Sequence, residues 1–282
     1  MWRKRTPMSA ASFLDRMAAA SRARARRARQ RVPEQKLLAS ASETPPPPRL
    51  KLGTFDLIAE VKLRSPAVGS LDTGAFDLKA QVEAYARGGA CAVSVLTEPD
   101  AFHGSLEHLS GAASFLTPLD CPVMRKDFVT DPYQILEARA AGASGVLLIV
   151  TMLDDGTVAE LLQCAHEHGL FVLLEGFDRA DLERIARCTR AASDPPVLAG
   201  LNCRDLKSLE IDFGRFSQLA DALPADLPVV AESGVQTADQ VSIVAKLGYA
   251  AVLVGSALMR AEDPARVLAE LIAAGREAAE AR

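Results

Sequence analysis

From residue 55 onward, this 282-residue chain repeats one pattern: a short apolar run followed by a longer amphipathic segment. There are eight such runs: Leu57–Val61, Cys91–Leu96, Pro122–Lys126, Gly145–Val150, Phe171–Glu175, Val197–Asn202, Pro228–Glu232 and Ala251–Gly255. Each is apolar nearly throughout, the pattern of a strand covered on both faces of a parallel sheet. Between them, Leu78–Arg87, Pro132–Ala141, Val158–His168, Ala180–Cys188, Thr237–Leu247 and Pro264–Ala279 have helical spacing. Asp131-Pro132 and Thr237 have the chemistry of helix starts. Gly142, Gly169 and Gly248 stand where a helix ends in left-handed backbone. Eight βα units in about 230 residues predict an α/β fold, a (β/α)8 TIM barrel with an N-terminal helical extension. A doubly wound open sheet is the alternative, but it uses fewer strands and a Gly-rich dinucleotide turn, and no G-x-G-x-x-G motif occurs.

The chain divides into a basic arm, residues 1–54, and the barrel, residues 55–282. Ser12 and Asp15 form a capping-box start for a helix over residues 12–31, with Phe13, Leu14 and Met17 as its apolar stripe. Six arginines between Arg22 and Arg31 give that helix a solvated face. Pro45–Pro48 is a stiff polyproline spacer that marks the boundary. Residues 1–50 carry twelve Lys/Arg against three Asp/Glu, a balance of +9, and the remainder carries −13. An acidic body argues against a nucleic-acid-binding fold. No apolar stretch reaches the ~18–20 residues of a membrane span. The Arg-rich, acid-poor start lacks the apolar core of a secretory signal; it predicts a cytoplasmic protein, with an organelle transit peptide as the lesser reading. Five cysteines without C-x-x-C spacing read as reduced thiols, and four histidines form no metal pattern. No metal or other cofactor is expected.

In a barrel of this kind chemistry sits at the C-terminal ends of the strands. Six of the eight runs end in polar groups there: Glu60 and Lys62, Lys126, Glu175, Asn202 with Arg204, Glu232 with Ser233-Gly234, and Gly255-Ser256. Charges inside apolar strands are costly unless paired, so the set predicts one site. Glu60 and Lys62 are two apart and point the same way, into the barrel mouth, where Lys126 and Glu175 face them. Two carboxylates and two ammonium groups in one desolvated cup shift one another's pKa values, as acid–base catalysis requires. Ser-Gly and Gly-Ser pairs after the last two strands predict a phosphate site, hence a phosphorylated small-molecule substrate.

The segments Ile58-Ala-Glu-Val-Lys-Leu-Arg-Ser-Pro66, Leu96-Thr-Glu, Phe102-His-Gly-Ser105, Arg125-Lys-Asp-Phe128, Gln134-Ile-Leu-Glu-Ala-Arg139, Leu201-Asn-Cys-Arg-Asp-Leu206, Glu232-Ser-Gly-Val235 and Gly255-Ser-Ala-Leu-Met-Arg260 resemble the indole-3-glycerol phosphate synthase family. The resemblance runs from about residue 55 to 270, in order, through every predicted strand. It implies closure of the pyrrole ring of 1-(2-carboxyphenylamino)-1-deoxyribulose 5-phosphate, with loss of carbon dioxide and water and without a cofactor, in tryptophan biosynthesis. It further implies Lys126 as general acid, Glu175 as general base, Lys62 and Arg204 as partners of the benzoate, and Glu60 and Asn202 as positioning groups. The division of steps between Lys62 and Lys126 stays open. Ser65 would lie in a mobile loop, Phe128 against the aromatic ring, and Ser233, Gly234, Gly255 and Ser256 at the phosphate, with Glu232 near the lysines or hydroxyls. The implied extra helix before the barrel, which folds over the mouth, fits the arm.

Three departures stand out: Gly176-Phe177-Asp178 after Glu175, Cys203 after Asn202, and Ala67-Val68 in the first loop. A sugar-phosphate isomerase of the same fold would carry a Cys/Asp or Asp/Asp pair instead of the glutamates and lysines. A non-catalytic scaffold would have no use for the charged set. A specialised indole-forming paralogue is a further alternative. A monomer or weak homodimer is expected.

Overall fold

The structure is a computed structural model and describes residues 12–65, 69–70, 76–189, 195–204 and 210–282; the side chains of Ser65 and Ser70 and the predicted loop departure at Ala67-Val68 lie outside what is described. Eight parallel strands close into a barrel: β1 (Asp56–Val61), β2 (Ala92–Leu96), β3 (Val123–Lys126), β4 (Gly145–Ile149), β5 (Phe171–Gly176), β6 (Val197–Asn202), β7 (Val229–Glu232) and β8 (Ala251–Val254). Every predicted run is a strand. Closure is made by β1, which pairs with β2 on one side and β8 on the other. A two-stranded antiparallel hairpin, Arg64–Ser65 with Gly69–Ser70, follows β1.

Side-chain alternation separates two cores. Ile58, Ala92, Met124, Leu147, Leu173, Leu198, Val230 and Leu253 fill the barrel interior. Their sequence neighbours face outward, where Leu57, Val93, Val123, Val146, Val172 and Val252 meet the helices.

Besides the single helical turn Pro99–Phe102 after β2 and three short 3-10 turns, the helices among the described residues are α1 (Phe13–Arg31), α2 (Glu34–Glu43), α3 (Leu78–Arg87), α4 (Leu106–Leu116), α5 (Pro132–Ala140), α6 (Asp155–Glu167), α7 (Arg179–Cys188), α8 (Arg215–Gln218), α9 (Ala238–Lys246), α10 (Ser256–Met259) and α11 (Pro264–Glu280). Short polar side chains start most of them: Ser12, Asp77, Ser105, Asp131, Asp154, Asp178, Thr237 and Asp263 each accept a backbone N–H of the first turn. Asp154 explains why α6 begins at Asp155 rather than at the predicted Val158. Gly142, Gly169 and Gly248 end their helices at φ of 85°, 72° and 100°, a region open to glycine without strain. Among the described residues no helix is long and apolar enough to cross a membrane.

The arm holds a second helix that sequence reasoning missed. α2 is mostly polar, and only Leu37 and Ala41 are buried, too few to announce a helical period. Packing supplies what propensity does not: these two side chains rest on Tyr133 and Leu136 of α5. α1 turns Leu14, Ala18, Ser21 and Ala25 inward, with Phe13 and Met17 half-buried beside them. After α2 the chain is tied to α5 by Arg139, whose guanidinium donates to the carbonyls of Thr44 and Pro45.

Candidate active site

Strand register carries the polar residues to one end of the barrel. Glu175 of β5 lies beside Gly200 of β6, and Asn202 beside Glu232 of β7. Glu60, Lys62, Lys126, Phe128, Glu175, Asn202, Arg204, Ser233, Gly234, Gly255 and Ser256 all line a single cavity there, roofed by Phe13 and Leu14 of α1. Ser65 stands in the hairpin after β1, paired through its backbone with Gly69.

Lys126 is the hub. Its ammonium lies 2.9 Å from Glu232 Oε2, 3.6 Å from Glu60 Oε2 and 3.8 Å from Glu175 Oε2. Burial alone would favour neutral Lys126, but Glu232, Glu60 and Glu175 together raise its pKa above that of an ordinary lysine. Lys62 donates to Glu60 Oε1 at 2.5 Å. Burial pushes the Glu60 carboxyl up, yet Lys62 and Lys126 outweigh it and hold Glu60 below the usual range.

Glu175 goes the other way. Burial and then the neighbouring Glu232 push it up to about 8, despite Lys126 and the Asn202 amide, which donates to Glu175 Oε1 at 3.2 Å. The cluster contains two ammonium groups and three carboxyls, so a proton on Glu175 brings it to charge balance. Two glycines leave space for this set. A Cβ on Gly200 would overlap Glu232, and one on Gly255 would overlap Glu60.

The opposite wall is a turn at the end of β7. Ser233 and Gly234 are both left-handed, at φ of 68° and 74°. A serine there is strained, and such strain is held in place by surrounding contacts. Cys203 supplies one: its buried thiol donates to the Ser233 carbonyl at 3.3 Å. Burial pushes that thiol up to about 12, so it keeps its proton at neutral pH. α10 begins at Ser256, directly beyond Gly255. Arg204 enters the cavity next to Asn202, whose side-chain oxygen accepts from the Arg204 backbone. The departure at Gly176-Phe177-Asp178 is local: Phe177 lines the cavity and Asp178 caps α7.

Sequence reasoning missed the residues that fasten α1 over this cup. Arg24 reaches Glu98 at 3.1 Å and Asp127 at 2.5 Å. Burial would raise the Asp127 pKa, but Arg125 and Arg24 hold it below the usual range. Glu98 also accepts the backbone N–H groups of Asp100, Ala101 and Phe102, which fixes the turn carrying Phe102. Phe13, Phe102 and Phe128 then form an aromatic wall, with Phe13 edge-on to Phe128 at 5.9 Å and Phe102 at 6.2 Å from it. The signal for Arg24 was its place beside Ser21 and Ala25, at the border of the buried stripe. Among the described residues no group of three or more His, Cys, Asp or Glu side chains is arranged to hold a metal ion.

The family model for indole-3-glycerol phosphate synthase matches residues 14–271. The chain is 40% identical over 230 residues to the indole-3-glycerol phosphate synthase of Salinibacter ruber, covering 82% of each chain. It is 39% identical over 272 residues to that of a Roseiflexus species, covering 92% of this chain and 98% of the relative. For the protein of the same name from Kineococcus radiotolerans, identity is 44% over 219 residues, with 78% and 76% covered. The fold also resembles 3-hexulose-6-phosphate synthase from Salmonella typhimurium, with a TM-score of 0.61, 14% identity, and 79% of this chain and 100% of that one covered. Thiamine phosphate pyrophosphorylase from Pyrococcus furiosus gives a TM-score of 0.57 at 18% identity, with 80% and 97% covered. These two likenesses concern the fold alone.

Proposed function

The chain belongs to the indole-3-glycerol phosphate synthase family, and from that premise we propose how its own side chains carry the reaction. The reaction is that of a carboxy-lyase of tryptophan biosynthesis. The pyrrole ring of 1-(2-carboxyphenylamino)-1-deoxyribulose 5-phosphate closes with loss of carbon dioxide and water, giving indole-3-glycerol phosphate. The enzyme acts in the cytoplasm.

The observation that carries the assignment of roles is the Lys126 ammonium, held protonated among three carboxyl groups at the barrel mouth. When the ring carbon attacks the ketone, negative charge develops on the carbonyl oxygen, and Lys126 donates to it. Glu60 and Glu232 orient that ammonium. Loss of the carboxylate follows as the ring rearomatises, and Lys62 with Arg204 holds the benzoate until then. In the dehydration an ammonium proton from Lys62 or Lys126 leaves with the hydroxyl as water, while Glu175 takes the proton lost from the ring, with Asn202 fixing its carboxyl. Glu175 acts in this way in its deprotonated form, which burial and Glu232 disfavour at rest. Ser233, Gly234, Gly255 and Ser256 take the phosphate, while Phe128 packs against the aromatic ring and Ser65 closes from the first loop.

The test is indole-3-glycerol phosphate fluorescence from wild type, Lys126→Ala and Glu175→Gln. Wild type forms product, and each variant loses about 10²–10⁴-fold in kcat, the usual worth of a positioned acid or base. A folded wild type that forms no product refutes the reading; full activity in Lys126→Ala refutes that residue's role.

A further inference from the structure

The arginine run of α1 is only partly used by the contacts above. Arg24 turns inward to Glu98 and Asp127, and Arg29 pairs with Asp131 and Glu34. Arg22, Arg26, Arg27 and Arg31 are exposed and make no ion pair among the described residues. The helix that bears them lies on the rim of the cavity. Phe13 and Leu14 line the cavity at its start, and Arg24 joins the strand-end residue next to Lys126. At a rise of about 1.5 Å per residue, Arg22 and Arg26 flank Arg24 within about 3 Å along the axis.

The rest of the molecule repels what the site must admit. Residues 51–282 carry −13, and the substrate carries a carboxylate and a phosphate. Like charges slow encounter, whereas a local patch of opposite sign can raise association rates by about 10–10³-fold. We propose that the exposed arginines of α1 form an electrostatic funnel. They concentrate the anionic substrate at the barrel mouth against the field of the acidic body. This rests on the proposed function; it adds a role for residues that touch neither substrate nor catalytic group. Four spare cations on the lid helix, and none of them committed to holding it down, are accounted for in this way.

The experiment is the ionic-strength dependence of kcat/KM for the full chain. The variant is Arg22→Gln/Arg26→Gln/Arg27→Gln/Arg31→Gln. The control removes four exposed cations from the barrel wall: Lys79→Gln/Arg87→Gln/Lys246→Gln/Arg266→Gln. At about 0.01 M salt, where charges act over about 30 Å, the α1 variant has kcat/KM reduced about 5–10-fold with kcat unchanged. At about 0.5 M salt it matches wild type, because screening has removed the field. The wall control loses less than half as much. Three outcomes overturn the funnel: superimposed salt curves, an equal loss in the wall control, or a loss that persists at high salt. Absence of product from wild type would instead refute the underlying reading of the reaction.

Discussion

Glu60 and Lys62 could be assigned to one face from a spacing of two, because alternation along a strand is local geometry. That Lys126 meets Glu232 at 2.9 Å could not be read off, since β3 and β7 stand on different sides of a closed barrel. The sign of the Glu175 shift depends on that same closure. Glu175 is pushed up to about 8 by burial and by Glu232, so the native state holds a proton that the unfolded chain releases near its ordinary value of about 4.3. A raised native pKa contributes stability below the unfolded value, and the contribution is lost as pH rises through about 8. For catalysis the consequence is an acid limb. The kcat/KM of wild type rises with pH towards an apparent value near 8, which belongs to the coupled cluster rather than to one carboxyl. Removing the repelling neighbour in Glu232→Gln lowers that limb by about one unit or more, even as the maximal rate falls. A pH–rate profile with an unmoved limb would mean that Glu232 does not govern the Glu175 proton.

At the scale of elements, the strands and the capped helices were legible because each has a local cause: an apolar run, an Asp or Ser start, a glycine end. α2 was not, because its stability resides in the packing of Leu37 and Ala41 against α5. The clamp on α1 was equally hidden, since Arg24 joins residues 74 and 103 positions away. Its removal separates the helix from the two segments that carry Phe102 and Phe128. Arg24→Ala leaves Asp127 with Arg125, Thr97 and the Phe128 backbone N–H, so the core of the network survives. Phe13 then loses its fixed approach to Phe128. The expected result is a KM raised about tenfold with a smaller fall in kcat, as a loss of about 1.4 kcal/mol in substrate binding requires. Thermal denaturation should move only slightly. Steady-state kinetics decides the matter: an unchanged KM would show that Arg24 has no part in holding the aromatic wall.

The whole molecule divides its labour between the two ends of each strand, as barrels do. β1 displays this within six residues. Glu60, at the C-terminal end, joins the lysines of the cavity. Asp56, at the N-terminal end, is buried and serves only architecture: it accepts the Gly53 backbone N–H at 2.5 Å and the Arg276 guanidinium of α11 at 3.1 Å. It thus joins the segment entering the barrel to the last helix, close to where β1 meets β8. In the sequence Asp56 merely precedes the apolar run Leu57–Val61 that holds Glu60; position along the strand, known only once the barrel's direction is known, gives the two acids opposite meanings. Asp56→Ala should therefore cost about 1–3 kcal/mol of stability, the penalty for leaving buried donors without an acceptor. Because the chain is long, that appears as a fall of a few °C in Tm. The kcat/KM at 25 °C should stay within about twofold of wild type, since the substituted group lies at the end of the barrel away from the cavity. Calorimetry and steady-state kinetics on the same preparation test both halves. A stable but slow Asp56→Ala enzyme would contradict the division between the two ends.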